Sequence, residues 1–530
     1  MPDARKIIGT FWRSLKLLAL AILILLIIAA IYFQAPWKAT ALLLIILLAN
    51  VLLPKGKKRW FWAAAGIVAI ALIVWVFLPD NNTGWRPYTF DKELTALETK
   101  YKIPDEQNAA LIYQPLLESL KEKQLEPNLT DPNAYWRIAP HQPWRSKDYP
   151  ELAKWIENHK QTIDTLLEAS RKEKCHFPII ADVSQMQSLM DRVAPMRHLI
   201  YLLEASANND IAENRTESGI EKYTAAMQIA KHELQQTTMI ELMVGMALDA
   251  FATSNINRLI VEENVSESQL DRIEQALNTV EFDWSKDWPR VIENEKLLFK
   301  NMMAEIHYEV NEKGQIRYSR SLPKLIDSEE IYKQSYLLGK YIKSGVIVRW
   351  FWFPSNPEDL SLIIDDAYKS FSSQEPQEPF QKSFWKYRFN IKWLSREMAS
   401  TEFKTASATK VIYVRSQTSR KGIQLLIPLK RYKNKNGVWP NSLDEIKDLV
   451  PAEAFIDPLN GGAFVYKLTK DNFTLYSRGK NGIDEGGKQE TEGSIDSEGN
   501  WIPKSKEDDL LIWPSRNCDT KKENKDVKQQ

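Results

Sequence analysis

The chain has 530 residues, with 70 Lys and Arg against 69 Asp and Glu and a formal net charge of +1. That balance excludes the broad basic face of a protein that binds nucleic acid in bulk, and two cysteines are too few for a disulfide-stapled scaffold. The length exceeds a single domain, so two or three compact bodies are expected beside any membrane segment.

Residues 1–14 are a short cytoplasmic N-terminus, and residues 15–78 hold three hydrophobic spans, Leu15–Phe33, Lys38–Leu53 and Trp60–Leu78. Each is close to the roughly 17–25 apolar residues that cross a hydrocarbon core as a helix. Arg5, Lys6, Arg13 and Lys16 surround the start of the first span, and Lys55, Lys57, Lys58 and Arg59 precede the third. Lys and Arg are retained on the cytoplasmic side, so the pattern puts the N-terminus in and everything after Leu78 out. Trp12, Tyr32, Trp37, Trp60, Trp62 and Trp75 sit near span ends, where amphipathic rings favour the lipid interface. A cleaved signal peptide would have one short apolar core, and a prepilin leader would carry a Glu five residues after Gly9, where Ser14 stands. The segment therefore reads as a permanent anchor in membrane lipid.

Residues 79–90 form a polar linker, and 91–400 read as an all-helical domain outside the cytoplasm. Apolar spacing of three and four predicts a helix over Asp105–Lys123, interrupted by Pro115, and further helices over Glu151–Glu173 and Val183–Ala207. Ser218–Gln236 and Thr238–Ile260 read as a helical hairpin. Ser266 with Gln269 has capping-box spacing before a helix ending near Val280. The second hairpin helix is apolar enough to suggest a fourth span, but Glu241 and Asp249 inside it favour a core helix. No 34-residue repeat is visible, so the helices form an irregular array. The aromatic run Ser344–Ser355 reads as core packing, with a contact patch as the alternative.

Residues 401–515 form the last domain, followed by a polar, disordered tail at 516–530. An apolar-faced helix runs to Tyr432, Asn436–Gly437 turns, Trp439–Pro440 docks, and Ser442 caps a short helix over Leu443–Leu449. Two strands follow, the first within Ile456–Leu468 and the second within Asp471–Gly479. Tyr432, Gly437 and Pro440, then Asp457, Pro458 and Tyr466, then Leu475, Tyr476, Ser477, Gly479, Gly482, Gly486 and Gly487 stand in one order. In that order they make a pattern that resembles the C-terminal domain of the major pseudopilin of bacterial type II secretion systems, over about a fifth of the chain. The resemblance implies a helix packed on a short antiparallel sheet, a bacterial inner-membrane setting and envelope or secretion proteins as partners. It also implies a calcium loop. By position this falls on the Arg478 carbonyl and on Asn481, where the family usually has Asp, with Asp484, Glu485 and Asp496 nearby to complete a shell of six to eight oxygens; a plain solvated acidic loop is the alternative.

The expected fold class is thus an α+β multidomain membrane protein with three N-terminal transmembrane helices, a mostly α-helical central domain and a small pilin-like α/β C-terminal domain. No catalytic residues are assigned. His232–Glu233 begins like a zinc-protease motif but has Gln236 where the second His belongs, and Cys175–His176 are adjacent, a poor geometry for a nucleophile and its base. Asp365–Asp366 and Asp508–Asp509 read as solvated acid pairs. Cys175 and Cys518 both fall outside the cytoplasm, where either a disulfide or two thiols is open. The function expected is a non-enzymatic binding or scaffold protein of the envelope that binds no nucleic acid; the alternative is an envelope hydrolase, a peptidase or glycosidase.

Overall fold

The computed structural model describes residues 60, 64, 84–120, 129–130, 134–181, 186–279, 283–318, 356–372, 391–470, 472–488, 493–495, 501–503 and 507–514. The three hydrophobic spans apart from positions 60 and 64, the aromatic run 344–355, Asp496, Cys518 and the tail 516–530 lie outside the described residues. Among those described, the chain is mostly helical and carries two small antiparallel three-stranded sheets and one two-stranded ribbon. It divides into two compact units that do not follow the order of the sequence. One takes Met1–Leu94, Ala181–Ser184 and Lys296–Thr405, the other Thr95–Ile180, Gln185–Glu295 and Ala406–Gln530.

The first unit holds a sheet that the expected all-helical region lacks. Strand β1 (Trp85–Pro87), inside the expected linker, pairs antiparallel with β2 (Tyr308–Asn311), which pairs in turn with β3 (Ile316–Tyr318). Asn311 accepts from the backbone of Lys313 and Gln315 through its side chain, and Gly314 takes a φ of +74° to close the turn between β2 and β3. The Arg317 guanidinium lies 4.0 Å over the Trp85 ring. In the same unit, Lys300 is 2% exposed and donates to Glu93 and Asp365 at 2.9 and 2.8 Å. Asp365, expected on a solvated face of the helix Pro357–Ser372, is therefore an ion-pair partner, also engaged by Lys296.

The second unit stacks helices in antiparallel hairpins. Helices α1 (Asp91–Tyr101, which begins in the first unit), α2 (Ala110–Leu120), α3 (Pro150–Asn158) and α4 (Lys160–Ser170) lead into the long α5 (Met186–Ala212), α6 (Thr216–Leu234), α7 (Met239–Glu262) and α8 (Glu267–Asn278). The span expected as one helix over 151–173 breaks at His159, whose Nδ1 bonds the Trp155 carbonyl at 2.8 Å. The expected capping box at Ser266 and Gln269 is present, and a second one, Thr238 with Glu241, starts α7. Among the described residues α7 is long and apolar enough to cross a membrane. It packs instead as a core helix of this unit, with Leu242, Met246, Leu248, Ala252, Ile256 and Leu259 buried. Its Asp249 is 2% exposed and paired with Arg420, which also donates to the Leu277 carbonyl at 2.8 Å.

The C-terminal segment from Ala406 belongs to this second unit. A 46-residue helix, Ile391–Asn436, crosses the expected boundary at 400 and ends four residues beyond Tyr432. Its Ile423, Leu425, Leu426 and Ile427 join the same apolar core as Leu199, Ile256 and Leu277. Strands β4 (Val465–Leu468), β5 (Phe473–Ser477) and β8 (Leu510–Trp513) form the sheet in the order β4-β5-β8, and β6 (Gly493–Ile495) pairs with β7 (Trp501–Pro503). Gly422 lets the long helix approach the sheet, because a Cβ there would stand 2.6 Å from Ile512 Cγ1. Trp439 is buried against Phe473, ring centroids 4.7 Å apart. Ser442 accepts from Asp444 N at 3.3 Å, as its capping role requires, and the helix it opens at Leu443–Leu449 is 3₁₀.

Candidate functional site

Three polar clusters in the second unit are built tightly enough to be considered as sites. The first surrounds Arg192 on α5. Its guanidinium bonds Glu233 of α6 at 2.9 and 3.0 Å, pairs with Glu241 of α7, and lies 4.2 Å over the Phe177 ring. Burial pushes the Glu233 carboxyl up, and the Arg192 charge pulls it back. Glu241 also accepts from Thr237 N and Thr238 N at 3.1 and 2.8 Å, so a single carboxylate both starts α7 and neutralises Arg192. Two carboxylates share one guanidinium there, and the cluster ties three helices together rather than presenting a reactive group.

The pairs weighed for catalysis resolve the same way. Cys175 is a buried free thiol pushed well up by desolvation, the reverse of an activated nucleophile. His176 turns to Glu98, Nε2 to Oε2 at 3.0 Å. Gln236, the residue that breaks the zinc motif, accepts from Phe177 N and donates to the Cys175 and His232 carbonyls. It stitches the segment 175–177 to the end of α6.

His232 is fully buried between the Tyr113 hydroxyl (2.9 Å from Nδ1) and the Lys172 carbonyl (2.9 Å from Nε2). Desolvation lowers its pKa to about 4. The unfolded chain, with His near 6.5, then binds the extra proton first, so this contribution to stability is full above pH 6.5 and is lost as pH falls towards 4. We expect an unfolding free energy lower at pH 4.5 than at pH 7, on the order of 2 kcal/mol of that loss being removed by His232→Gln. An unchanged pH slope in the variant, measured by urea unfolding of the full chain, would count against this.

The second cluster is the loop after β5. Asp457 is fully buried and organises it, accepting from Leu459 N at 2.9 Å, Asn460 Nδ2 at 2.7 Å and Ser477 Oγ at 2.6 Å. That is why the Asp-Pro and Leu-Tyr-Ser phrases occur together: the first clamps the second. Asn460 also donates to the Gly479 carbonyl at 2.9 Å. Of the five residues expected around calcium, Arg478 is exposed in the turn after β5, and Asp496 lies outside the described residues. Asn481 donates to Glu485 at 2.7 Å and accepts from Ile483 N. Asp484 is occupied, accepting from the Tyr476 hydroxyl at 2.5 Å, from Gly486 N at 3.0 Å and from Lys467. Asp484 is thus an anchor for β4 and β5, held below the usual carboxylate range first by Tyr476.

Unsatisfied oxygen lies instead on the other side of the loop. Asp509, expected in a solvated pair, is 0% exposed; its Oδ2 accepts from Glu485 N and Gly487 N at 3.0 and 2.8 Å. Asp508 Oδ2 accepts from Lys480 N at 2.9 Å. The remaining oxygens, Glu485 Oε2, Asp508 Oδ1 and Asp509 Oδ1, are buried without a hydrogen-bond partner. Burial, with Glu485 beside it, pushes the Asp509 carboxyl up to about 6. Orphaned carboxylate oxygens are the donor type a hard cation takes. Among the described residues, no three His, Cys, Asp or Glu side chains are gathered at ligand spacing. Sequence order hid the pair, because Asp509 reaches the loop from 24 residues away. The third cluster, around Asp210, is taken up below.

No family model, curated protein or solved structure matches this chain.

Proposed function

We propose that the chain is an integral protein of the bacterial inner membrane, anchored by the three spans within 15–78, whose outer part is a non-enzymatic scaffold that binds envelope or secretion proteins. The observation that carries this reading is the stack of α5, α6 and α7, helices of 27, 19 and 24 residues, built into one core with the pilin-like segment. Stacked helical hairpins offer extended grooves to partner chains. Proximity labelling from the outer part in living cells tests it: a reproducible set of envelope proteins is expected. Robust turnover of a peptidase, esterase or glycosidase substrate by the purified chain, lost on one side-chain change, would replace it with an enzyme. For topology, alkaline phosphatase fused after residue 84 is expected to be active and a cytoplasmic reporter there silent; the opposite pair would overturn the anchor.

Calcium has a structural part in this reading. Calcium at the loop after β5 would supply positive charge to the unsatisfied oxygens of Glu485, Asp508 and Asp509, which do not by themselves stand at ligand spacing. By mass action, an ion bound only by the folded state raises stability with its concentration. The full-length protein in detergent is expected to unfold several degrees higher in millimolar calcium than in chelator. Asp509→Asn is expected to abolish that difference and Asp484→Asn to leave it; equal midpoints for the unaltered chain would remove the ion.

A further inference from the structure

The third cluster lies in an open groove of about 610 Å³ between the α3–α4 and α5–α6 hairpins. Its floor is made by Asp210 at the end of α5 and by Arg215 and Lys222 at the start of α6. Asp210 accepts from Arg215 Nε at 2.7 Å, Ser218 Oγ at 2.6 Å and Lys222 Nζ at 2.6 Å. Lys222 also donates to Ser206 at 2.7 Å, and Arg215 to Asn209 at 2.9 Å. Asp210 and Lys222 side chains are 7% and 13% exposed, whereas Arg215 is 51% exposed.

The charges do not cancel. Asp210 is satisfied by Lys222 and Ser218 without Arg215, and its carboxyl is held below the usual range although burial opposes this. Two cations against one carboxylate leave the floor at +1, whereas the whole lining, with Lys160 against Glu157, Asp164 and Glu221, sums to −1. Arg215 has five N–H donors and Lys222 three, and the bonds above use two of each. Arg215 is also the N-cap of α6 and makes no side-chain capping bond, so the positive end of that helix opens at the same place. The acids at the rim are weaker influences. Asp164 is paired with Lys160 at 3.3 Å and Glu221 with Arg171 at 3.7 Å, both exposed, and exposed Glu157 is screened by solvent.

A planar fork with spare donors beside a lysine is matched by a carboxylate. Behind it the groove wall carries Ile156 and Leu167, an apolar surface for a side chain, while Ser146 and Asn209 there are bonded to each other and to Glu213 and Arg215. The volume is that of an organic ligand, well beyond a lone anion. We propose that this groove binds the C-terminal carboxylate of an extended peptide segment of a partner protein, Arg215 and Lys222 taking the carboxylate and Ile156 and Leu167 the last side chain. The proposal rests on the scaffold reading and names how that scaffold would recognise its partner.

The test is fluorescence anisotropy with the full-length protein in detergent and fluorescein-labelled hexapeptides that vary the last residue, each made with a free carboxylate and as the amide. At least one sequence is expected to bind tenfold or more tightly as the acid than as the amide. Arg215→Gln, a half-exposed change, is expected to erase that ratio, and Arg171→Gln, outside the groove floor, to preserve it. Equal affinity for acid and amide, or a ratio that survives Arg215→Gln, overturns the proposal. So does competition by free L-alanine at the concentration of the peptide, which would make the site one for small carboxylates. Proximity labelling with the Arg215→Gln chain separates the two levels: partners that persist while the peptides show no discrimination leave the scaffold standing and remove the groove.

Discussion

Arg192→Met is expected to lower the unfolding free energy by about 3–5 kcal/mol, the loss typical of a buried charge left without its partner. Two carboxylates are stranded by this change. Glu233 is 0% exposed, and Glu241 is 3% exposed while capping α7. Their attraction to Arg192 offsets a desolvation that would otherwise keep both groups out of the core. Combining Arg192→Met with Glu233→Gln and Glu241→Gln removes the stranded charge and retains acceptors for Thr237 and Thr238, so most of the loss is expected to return. Urea unfolding of the full chain, followed by circular dichroism, compares the starting protein with both variants. A single variant within about 1 kcal/mol of the starting protein would show that water or a rearranged helix relieves the charges.

A comparable effect is expected at Gly479, for a steric reason. Its φ is +62°, and an added Cβ would stand 2.1 Å from Asp508 Oδ1 and 2.3 Å from the Asp508 carbonyl oxygen. The backbone conformation alone costs an L-residue about 1–2 kcal/mol; the collision with backbone adds to it and pushes the Asp508 segment off the loop. Gly482 is the control, with φ +70° and nothing within 4 Å. Gly479→Ala is therefore expected to destabilise by several kcal/mol and Gly482→Ala by about 1–2 kcal/mol. Thermal unfolding without calcium compares them; equal midpoints would mean that the Asp508 segment yields freely.

Local signals carried the parts of this fold that local physics decides. The hairpin of α6 and α7 follows from apolar spacing, and the caps at Ser266 and Ser442 follow from short polar side chains at helix starts. The Thr238–Glu241 box has the same signature and was readable from it. Long-range pairing was not. Strand β1 finds β2 more than two hundred residues away, through three residues that include Pro87, too short for any period to register. Strand β8, Leu510–Trp513, is an apolar run without alternation, because it lies against the long helix at Ile512 and beside β5. The same holds for the polar clusters. Arg192 meets Glu233 and Glu241 across 41 and 49 residues, and Asp509 meets its loop across 24, so neither pattern is visible in a window. The Asp-Pro and Leu-Tyr-Ser phrases are joined through Asp457 and Ser477, but they do not show which carboxylates of the following loop stay unsatisfied.

The shared core has a consequence for biosynthesis. Helices α2 to α8 bury apolar residues against Ile423–Leu429 and against Leu475 and Trp513, yet roughly 150 residues are made between the end of α8 and the first of these. At the usual rate of about 5–20 residues per second, the helical stack waits some 7–30 seconds for the first of these residues, with apolar surface uncovered. Proteins of high contact order fold slowly for this reason. A nascent chain released early, before about residue 420, would lack a face of its core and be a substrate for chaperones and proteases, so quality control would read the late helix and strands as the mark of a closed core.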